Sequence, residues 1–297
     1  MAINETAIMK EDSNEIMVSI FCITYNHSKF IAKALDGFLM QKCNFNTEII
    51  IGDDCSTDGT TEIIDEYVAK HPDKIKRLKA PKNIGATQNV IRVALETKGK
   101  YVATCDGDDY WSDPDKLQKQ VDFLEQNPEY IMCCHYTREI NFDDTELFYM
   151  DFNPVPLKYS FSDLMINKQV ETSTATIVYR NTEAIRELYK NEWFLKCHAC
   201  DKFLKLYSTW VSGKKIYVLP EVMSSYRRHG GGIWSPISYI PLKKMQLSDF
   251  YLITRIFTYT GLQKVKLLHF YLKKYFLFEV KHKTIGNAFQ TIKTIVN

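Results

Sequence analysis

The stretch Tyr101–Trp111 (YVATCDGDDYW) decides the fold class of this chain. Its first part, YVATC, is a short apolar run, which is typical of a strand buried on both faces of a parallel sheet. The carboxylates of Asp106, Asp108 and Asp109 follow at once. Because such sheets bind ligands beyond the carboxyl ends of their strands, this stretch predicts a buried strand with a polar site at its tip.

The same order of buried strand, polar residues and helix occurs twice earlier in the chain. Met17–Thr24 (MVSIFCIT) is followed by Tyr25 and Asn26, and Thr47–Gly52 (TEIIIG) is followed by Asp53-Asp54. Apolar residues at helical spacing predict helices at 28–41, 61–69 and 88–97. Alternating strands and helices predict an α/β fold with a mostly parallel sheet covered on both faces.

Weaker patterns organise the rest of the chain. We expect strands at 76–80, 130–135, 175–179 and 215–219, and helices beginning near 114 and spanning 161–166 and 200–207. From about residue 241 the pattern is helical and rich in aromatic residues. The expected organisation is a flexible leader (1–15), an α/β domain (16–236) and a helical extension (237–297).

Composition and charge exclude several classes of protein. The chain has 297 residues, of which 45% are hydrophobic and 13% aromatic, too many for low-complexity disorder. A net charge of +2 argues against a dedicated nucleic-acid binder. The sequence has no transmembrane-length apolar run and no secretory leader, so we expect a cytoplasmic protein. Its eight cysteines, including the CxxC pair Cys197 and Cys200, are then expected to pack as small hydrophobic residues.

Charge is unevenly distributed along the chain. Residues 241–297 carry ten Lys/Arg and two acidic residues, a net charge of +8, whereas residues 1–240 carry 28 basic and 34 acidic residues, a net charge of −6. Two interpretations of the basic, aromatic extension remain open. It lies peripherally on the anionic inner face of the cell membrane, or it packs on the core with its lysines in solvent.

The acidic cluster predicts a metal site. Asp106 and Asp108 are expected on one side of the chain, because residues two apart in an extended segment point the same way. Such neighbouring carboxylates repel each other unless a cation lies between them. Mg²⁺ or Mn²⁺ suits oxygen ligands and commonly binds substrate phosphates as well. Gly107 is expected to let the backbone approach that ligand. A solvated acidic turn is the alternative.

Four segments in order resemble family 2 glycosyltransferases. Val18–Asn26 (VSIFCITYN) is similar to their VSIIIPTYN start, and Asp53–Thr60 (DDCSTDGT) to their DDGSTDGT segment. Asp106–Asp109 resembles their metal-binding D-x-D-D motif, and residues 111–128 resemble the segment that follows it. The resemblance covers about residues 17–235. It implies the GT-A fold, a Rossmann-like nucleotide-diphosphosugar transferase domain.

The resemblance implies roles for the residues at the strand tips. Tyr25, between Thr24 and Asn26, would stack on the uracil of a UDP-sugar. Asp54 would accept a hydrogen bond from the base. Asp106 would face the ribose or the sugar.

The resemblance also implies metal ligands and diphosphate contacts. Asp108 would bind the metal, and Val218–Trp234 (VLPEVMSSYRRHGGGIW) resembles the family's VLPEVLxxYRxH segment, which makes His229 a further metal ligand. Arg227 or Arg228 would meet the diphosphate, since the fixed donors of a guanidinium match phosphate oxygens. Glycines 230–232 would form a mobile loop over the donor.

The general base of the family is the Asp of a Glu-Asp pair that begins a helix. Asp201 fills that place here, and the resemblance implies that it deprotonates the acceptor hydroxyl. Three departures stand out: Cys200 replaces the Glu, Gln88 replaces a common arginine, and Cys55 replaces the Gly of the DDGS turn. Asp201 in a purely structural role, stabilising a helix N-terminus, is the alternative.

These expectations combine into one function and one alternative. The function is an inverting, metal-dependent hexosyl- or N-acetylhexosaminyltransferase that acts on a glycan or lipid-linked acceptor in bacterial surface-polysaccharide synthesis. The alternative is a non-catalytic homologue that binds a nucleotide sugar as a regulatory or scaffold module. A dehydrogenase and a P-loop enzyme are disfavoured, because the sequence has neither GxGxxG after its first strand nor GxxxxGK[ST].

Overall fold

The computed structural model describes residues 15–149, 153–169, 171–231 and 237–297. Three expectations therefore fall wholly or partly outside the described residues: the leader at 1–15, the domain boundary at 236, and Gly232 of the glycine loop. Within them, the chain forms one ten-stranded sheet with helices on both faces.

The helices and strands follow the periodicity of the sequence. The strands are β1 (Ile16–Thr24), β2 (Asn46–Asp53), β3 (Ile75–Lys79), β4 (Tyr101–Thr104), β5 (Tyr110–Trp111), β6 (Tyr130–Ile140), β7 (Glu146–Tyr149), β8 (Leu157–Tyr159), β9 (Val178–Arg180) and β10 (Lys215–Arg227). The helices are α1 (Ile31–Leu39), α2 (Thr60–Lys70), α3 (Ala86–Glu96), α4 (Lys116–Gln126), α5 (Phe161–Leu164), α6 (Glu183–Arg186), α7 (Cys200–Ser212), α8 (Tyr239–Ile256), α9 (Gly261–Tyr271), α10 (Leu277–His282) and α11 (Ile285–Val296).

The sheet has the order β3-β2-β1-β4-β9-β6-β10-β5, with β7 beside β6 and β8 beside β10. The strands β3, β2, β1 and β4 are parallel, and so are β6 and β10. The antiparallel strand β9 joins these two groups. The carboxyl ends of β1, β2 and β4 therefore meet at one edge of the sheet, which is where a parallel sheet binds its ligand.

Each face of the sheet has its own hydrophobic core. Val18, Ile20 and Cys22 of β1 point to the face covered by α1, α2 and α4, whereas Phe21 points to the face covered by α3 and α7. This alternation follows from the two-residue period of a strand. The strand is apolar along its whole length because both faces are buried.

The C-terminal helices pack on the second of these cores. Leu247 and Phe250 of α8, Leu267 of α9 and Ile295 of α11 share one buried cluster with Phe203 of α7. Packing of the extension against the core is thus observed, as one of the two interpretations expects. In the described part of the chain, no helix is both long enough and apolar enough to cross a bilayer.

Most predicted elements are present, and the differences have local causes. The α/β class with parallel strands is confirmed. The strand predicted at 175–179 is wrong in its first half, where Thr174–Thr176 forms a 3-10 turn before β9. The strands β6 and β10 run further than predicted, to Ile140 and Arg227, because they continue as a parallel pair into polar sequence.

Candidate active site

A cavity of about 280 Å³, the first cavity, lies at the carboxyl ends of β1, β2 and β4. Its walls include residues from each of these strand tips and from the turn before α3. Among them are Thr24, Tyr25, His27, Asp54, Asn83, Gly85, Asp106, Asp108, Asp109, Thr174 and Arg227. The site predicted from strand tips is therefore one continuous space, and it brings together most of the residues expected to bind a nucleotide.

The two carboxylates after β2 have different surroundings. Asp53 accepts hydrogen bonds from the backbone and side chain of Ser56 and from the hydroxyl of Thr61, so it holds the loop together. Asp54 lines the cavity and accepts the backbone amides of Ile84 and Gly85, both at 2.8 Å. Asp54 is therefore a fixed acceptor in the cavity wall.

The residues after β1 combine an exposed ring with a fixed backbone. The side chain of Tyr25 is 42% exposed and lines the cavity. Asn26 lies outside the lining and connects two loops, because its side-chain oxygen accepts the amide of Thr57 and its own amide donates to Ser56.

Cys55, in the turn after β2, adopts a φ of +65°. This is the left-handed conformation that glycine accommodates more readily.

The turn after β4 places three carboxylates close together. Ligand oxygens of Asp106, Asp108 and Asp109 lie within 4.8 Å of one another. Burial and the neighbouring carboxylates raise the pKa values of Asp106 and Asp109 well above the ordinary value. Divalent-cation binding would relieve this repulsion, so the carboxylates fit the predicted metal.

Gly107 has a structural role that the sequence did not predict. A Cβ added to Gly107 would lie 2.7 Å from Oγ1 and 2.8 Å from Cβ of Thr24. The glycine is therefore required for the close approach of the acidic turn to β1. The approach of the backbone to a ligand at Gly107 stays a prediction, and the contact with the neighbouring strand is a second reason for a glycine here.

Asp108 is the carboxylate with histidine neighbours. Nε2 of His229 lies 3.0 Å from its Oδ2, and Nε2 of His27 lies 3.7 Å from the same oxygen. Although burial opposes ionisation, the hydrogen bond from His229 and both imidazoles lower the pKa of Asp108. His229, predicted from the VLPEVLxxYRxH resemblance, thus lies beside Asp108 as a shared metal site would require.

A second cavity of about 110 Å³ adjoins the first, and Ile23, Ala86, Asp106 and Thr174 line both. Most of its other walls are apolar: Phe21, Val90, Ile177, Tyr189, Phe194 and Leu204. Asp201 and Asp106 are the acidic residues in the walls of the second cavity. The charge of Asp201 contributes to the raised pKa of Asp106.

Buried contacts fix Asp201 and the segment that leads to it. Oδ2 of Asp201 accepts a hydrogen bond from Nζ of Lys205 at 2.8 Å, and Lys205 also donates to the carbonyl of Thr172. About a third of the Asp201 side chain remains exposed (32%). Upstream, Oδ1 of the buried Asp249 in α8 accepts the amide of His198 at 2.8 Å.

The sequence profile of glycosyl transferase family 2 matches residues 19–189, which is more than half of the chain. This chain belongs to glycosyltransferase family 2. The uncharacterised protein Rv1520 of Mycobacterium tuberculosis is 37% identical over 222 residues, 73% of this chain and 60% of that protein. The chain thus spans about 60% of the length of the first curated relatives that it matches.

Solved structures agree with the fold of a family 2 glycosyltransferase. S. aureus TarS in complex with UDP-GlcNAc matches with a TM-score of 0.69 at 18% identity, over 95% of this chain and 82% of that one. The mannosyltransferase PcManGT from Pyrobaculum calidifontis, in complex with GDP-Man and Mn²⁺, matches with a TM-score of 0.55 at 14% identity, over 95% and 85%. The predicted GT-A fold is confirmed.

The two arginines are committed to other contacts in this family 2 glycosyltransferase. Arg227 donates to the carbonyls of Asp108, Asn141 and Phe142 and to the carboxylate of Asp144. The exposed Arg228 pairs instead with Glu139. Arg227 supports the acidic turn through the Asp108 carbonyl and also lines the first cavity. The expected contact of Arg227 or Arg228 with a diphosphate stays a prediction.

Sequence reasoning missed His27 and Lys205. His27 follows the Tyr25-Asn26 pair directly, so its place at a strand tip was a usable signal. Lys205 lies one helical turn after Asp201, the spacing at which side chains on a helix meet. The cysteines are largely as expected: all eight are free thiols, five of them buried, with 3.8 Å between the sulfurs of Cys197 and Cys200.

Proposed function

We propose that this chain is a metal-dependent inverting glycosyltransferase that transfers a sugar from a UDP-sugar to a hydroxyl of a glycan or lipid-linked acceptor. The observation that carries the proposal is the pair of adjoining cavities. The first cavity is lined by strand-tip residues of the kinds that bind a nucleotide, and the second is lined by Asp201. Asp106 and Thr174 line both cavities.

The first cavity suits a nucleotide. Tyr25 offers an exposed ring for stacking on a base, and Asp54 offers a carboxylate that its backbone contacts hold in place. Asp106 lies between this nucleotide side and the second cavity, where the ribose or the sugar would pass. The structurally similar TarS binds UDP-GlcNAc, which supports a uridine nucleotide donor.

Asp108 and His229 would hold a divalent cation. Their atoms offer one carboxylate oxygen and one imidazole nitrogen 3.0 Å apart, a donor set that fits Mg²⁺ less closely than Mn²⁺. Positive charge at this position would stabilise the diphosphate as it leaves the sugar. PcManGT, of the same fold, binds Mn²⁺ together with GDP-Man.

Asp201 would act as the general base. It would take the proton of the acceptor hydroxyl as the oxygen attacks C1 of the sugar, which gives inversion at that carbon. Lys205 would position it, because its buried ammonium holds one carboxylate oxygen while part of the side chain stays exposed. The departure at Cys200 leaves the Asp itself in place at the start of α7.

The rest of the surface supports a proposal for the acceptor and the setting. The basic helices after residue 237 expose several large apolar side chains, among them Leu277 and Phe289. We propose that they contact the anionic inner face of the membrane, where a lipid-linked acceptor would be found. Surface-polysaccharide synthesis, by a cytoplasmic enzyme held peripherally, is the setting that we propose.

A donor screen tests the proposal. The purified chain is incubated with UDP-, GDP- and TDP-sugars and Mn²⁺ or Mg²⁺, and slow hydrolysis of each donor is measured. We expect one UDP-sugar to be hydrolysed, with loss of the activity in Asp108→Asn and upon chelation of the metal. The exposed Asp122→Asn, which also removes a carboxylate, is the matched control and should retain full activity.

Two results would contradict the proposal in different ways. Metal-assisted binding of a UDP-sugar without hydrolysis or transfer would favour the non-catalytic binding module. If calorimetry finds no binding of any activated sugar with either ion, the donor site itself is wrongly assigned.

A further inference from the structure

We propose that His27 is a protein ligand of the divalent cation, together with Asp108 and His229, so that this site prefers a first-row transition ion to Mg²⁺. The inference rests on the metal-dependent transfer proposed above and adds a residue and a metal preference to it. His27 precedes α1 at the tip of β1, and His229 lies just beyond the end of β10, so the site would join the carboxyl ends of two strands that are not neighbours in the sheet.

The spacing of the three side chains matches a shared ion. Ligand atoms of His27, Asp108 and His229 all lie within 4.8 Å of one another. From Oδ2 of Asp108, the distance to Nε2 of His229 is 3.0 Å and that to Nε2 of His27 is 3.7 Å. Ligands ~2.1 Å from one ion and at about right angles lie ~3 Å apart, so small side-chain shifts would complete the site.

His27 lacks ordinary partners in the described structure. Its side chain is only 13% exposed, yet the 3.7 Å contact of Nε2 with Asp108 is longer than a hydrogen bond. Nδ1 is buried without a hydrogen-bond partner among the described residues. Neither ring nitrogen of His27 therefore makes a hydrogen bond to a described residue, and Nε2 is the nitrogen that faces Asp108, where a shared ion would lie.

Asp109, another carboxylate of the acidic turn, is less suited to share this ion. Oδ1 of Asp109 accepts the backbone amide of Arg227 at 2.8 Å, and its side chain is buried. The ring of His27 meets that of His229 edge to face at 5.8 Å between centroids, so both imidazoles border the same space. Two imidazoles and one carboxylate favour transition ions, whereas Mg²⁺ favours oxygen ligands throughout.

Pulsed electron paramagnetic resonance of Mn²⁺ tests the ligand set directly. The full chain is loaded with Mn²⁺ and UDP, and the imidazole nitrogens coupled to the ion are counted. We expect two in the wild-type protein and one in His27→Gln. In calorimetry the same variant should bind Mn²⁺ about 10-fold more weakly or worse. The exposed His71→Gln serves as control and should leave both measurements unchanged.

The outcomes distinguish this inference from the proposed function. One coupled imidazole in the wild-type protein, or an unchanged spectrum in His27→Gln, overturns the role of His27 and leaves metal-dependent transfer intact. Tighter binding of Mg²⁺ than of Mn²⁺ overturns the metal preference. Failure of the wild-type chain to bind Mn²⁺ with UDP contradicts the proposed function itself. The wild-type count decides the question even if His27→Gln does not fold.

Discussion

At the scale of single residues, the position of Asp201 allows it two roles, one in the proposed chemistry and one in the stability of α7. Its carboxylate lies in the first turn of α7, where Lys205 holds one oxygen, and it faces the cavity that also contains Asp106. An acidic residue in a first helical turn also stabilises the helix N-terminus. The two roles can be separated by measurement, because the helix role affects the free energy of unfolding and the catalytic role affects the rate of the reaction.

We therefore expect Asp201→Asn to lower the rate of donor hydrolysis by about 10²- to 10⁴-fold, the usual contribution of a general base. UDP binding measured by calorimetry should stay the same, because the proposed nucleotide site is the first cavity and Asp201 lines the second. Glu62→Gln, which neutralises an exposed acid in the first turn of α2, is the matched control. Wild-type rates in Asp201→Asn would exclude it as the base.

Burial of the Lys116 side chain costs free energy when the lysine is charged, which the composition of the chain does not reveal. Its side chain is fully buried, its Nζ has no hydrogen-bond partner among the described residues, and it lies 4.0 Å from the ring centroid of Trp111. Burial lowers the pKa of Lys116 from 10.5 to about 7. Between these values the folded chain binds fewer protons than the unfolded chain, so the free energy of unfolding rises with pH in that window.

Lys116→Met should remove this dependence. Below pH 7 both states of the wild-type chain hold the proton, and the ammonium is buried at full cost. We expect the variant to be more stable by about 1–3 kcal/mol at pH 6, with the difference shrinking toward pH 9. Urea unfolding at both pH values measures it, with the exposed Lys82→Met as control. A less stable variant at pH 6 would show that the contact between Lys116 and Trp111 stabilises the fold by more than burial of the ammonium destabilises it.

At the scale of elements, the acidic turn after β4 depends on its contact with β1. The amide of Gly107 donates to the carbonyl of Ile23 at 2.9 Å, and its Cα faces Thr24. The turn is therefore placed by the neighbouring strand rather than by its own sequence alone.

Gly107→Ala should displace this turn. The added methyl would overlap Thr24, so we expect a loss of about 1–3 kcal/mol in the free energy of unfolding. Mn²⁺ binding should weaken as well, because Asp106 and Asp108 flank the glycine. Gly261→Ala, at a position with open space around it, should lower neither the free energy of unfolding nor the affinity for Mn²⁺. Unaltered unfolding and Mn²⁺ binding in Gly107→Ala would contradict the close approach.

The elements show how far the sequence alone could predict the molecule. β1, β2 and β4 were predictable because strands buried on both faces are continuously apolar. The two-residue strand β5 was not, because so short a segment has no measurable period. The strand tips identify Tyr25, Asp54 and the acidic turn locally. The contact of Asp108 with His229, 121 residues away, depends on the placement of β10 in the sheet.

At the scale of the whole molecule, charge and exposed apolar surface coincide on the C-terminal helices. Leu277 is 77% exposed and Phe289 is 61% exposed. Lys273 and Lys274 are exposed close by in sequence. Basic residues beside exposed apolar side chains suit the surface of an anionic bilayer.

We expect the full chain to bind vesicles that contain anionic lipid, less strongly as salt rises. Leu277→Ser with Phe289→Ser should reduce binding by about 10-fold, since each loses apolar area that enters the interface. The control is Leu147→Ser, which changes an exposed leucine of β7. Equal vesicle binding by both variants in a sedimentation assay would favour helices that only pack on the core.

The hydrogen bond between Asp249 and His198 bears on how any shortened form of this chain should be interpreted. Asp249 belongs to α8, and the backbone it holds leads within three residues to Asp201. Truncation before α8 would release the segment that leads to Asp201 as well as remove the helices proposed to bind lipid. Lost turnover in such a truncate would therefore say nothing about membranes, and point substitutions on the outer surface are the cleaner tool.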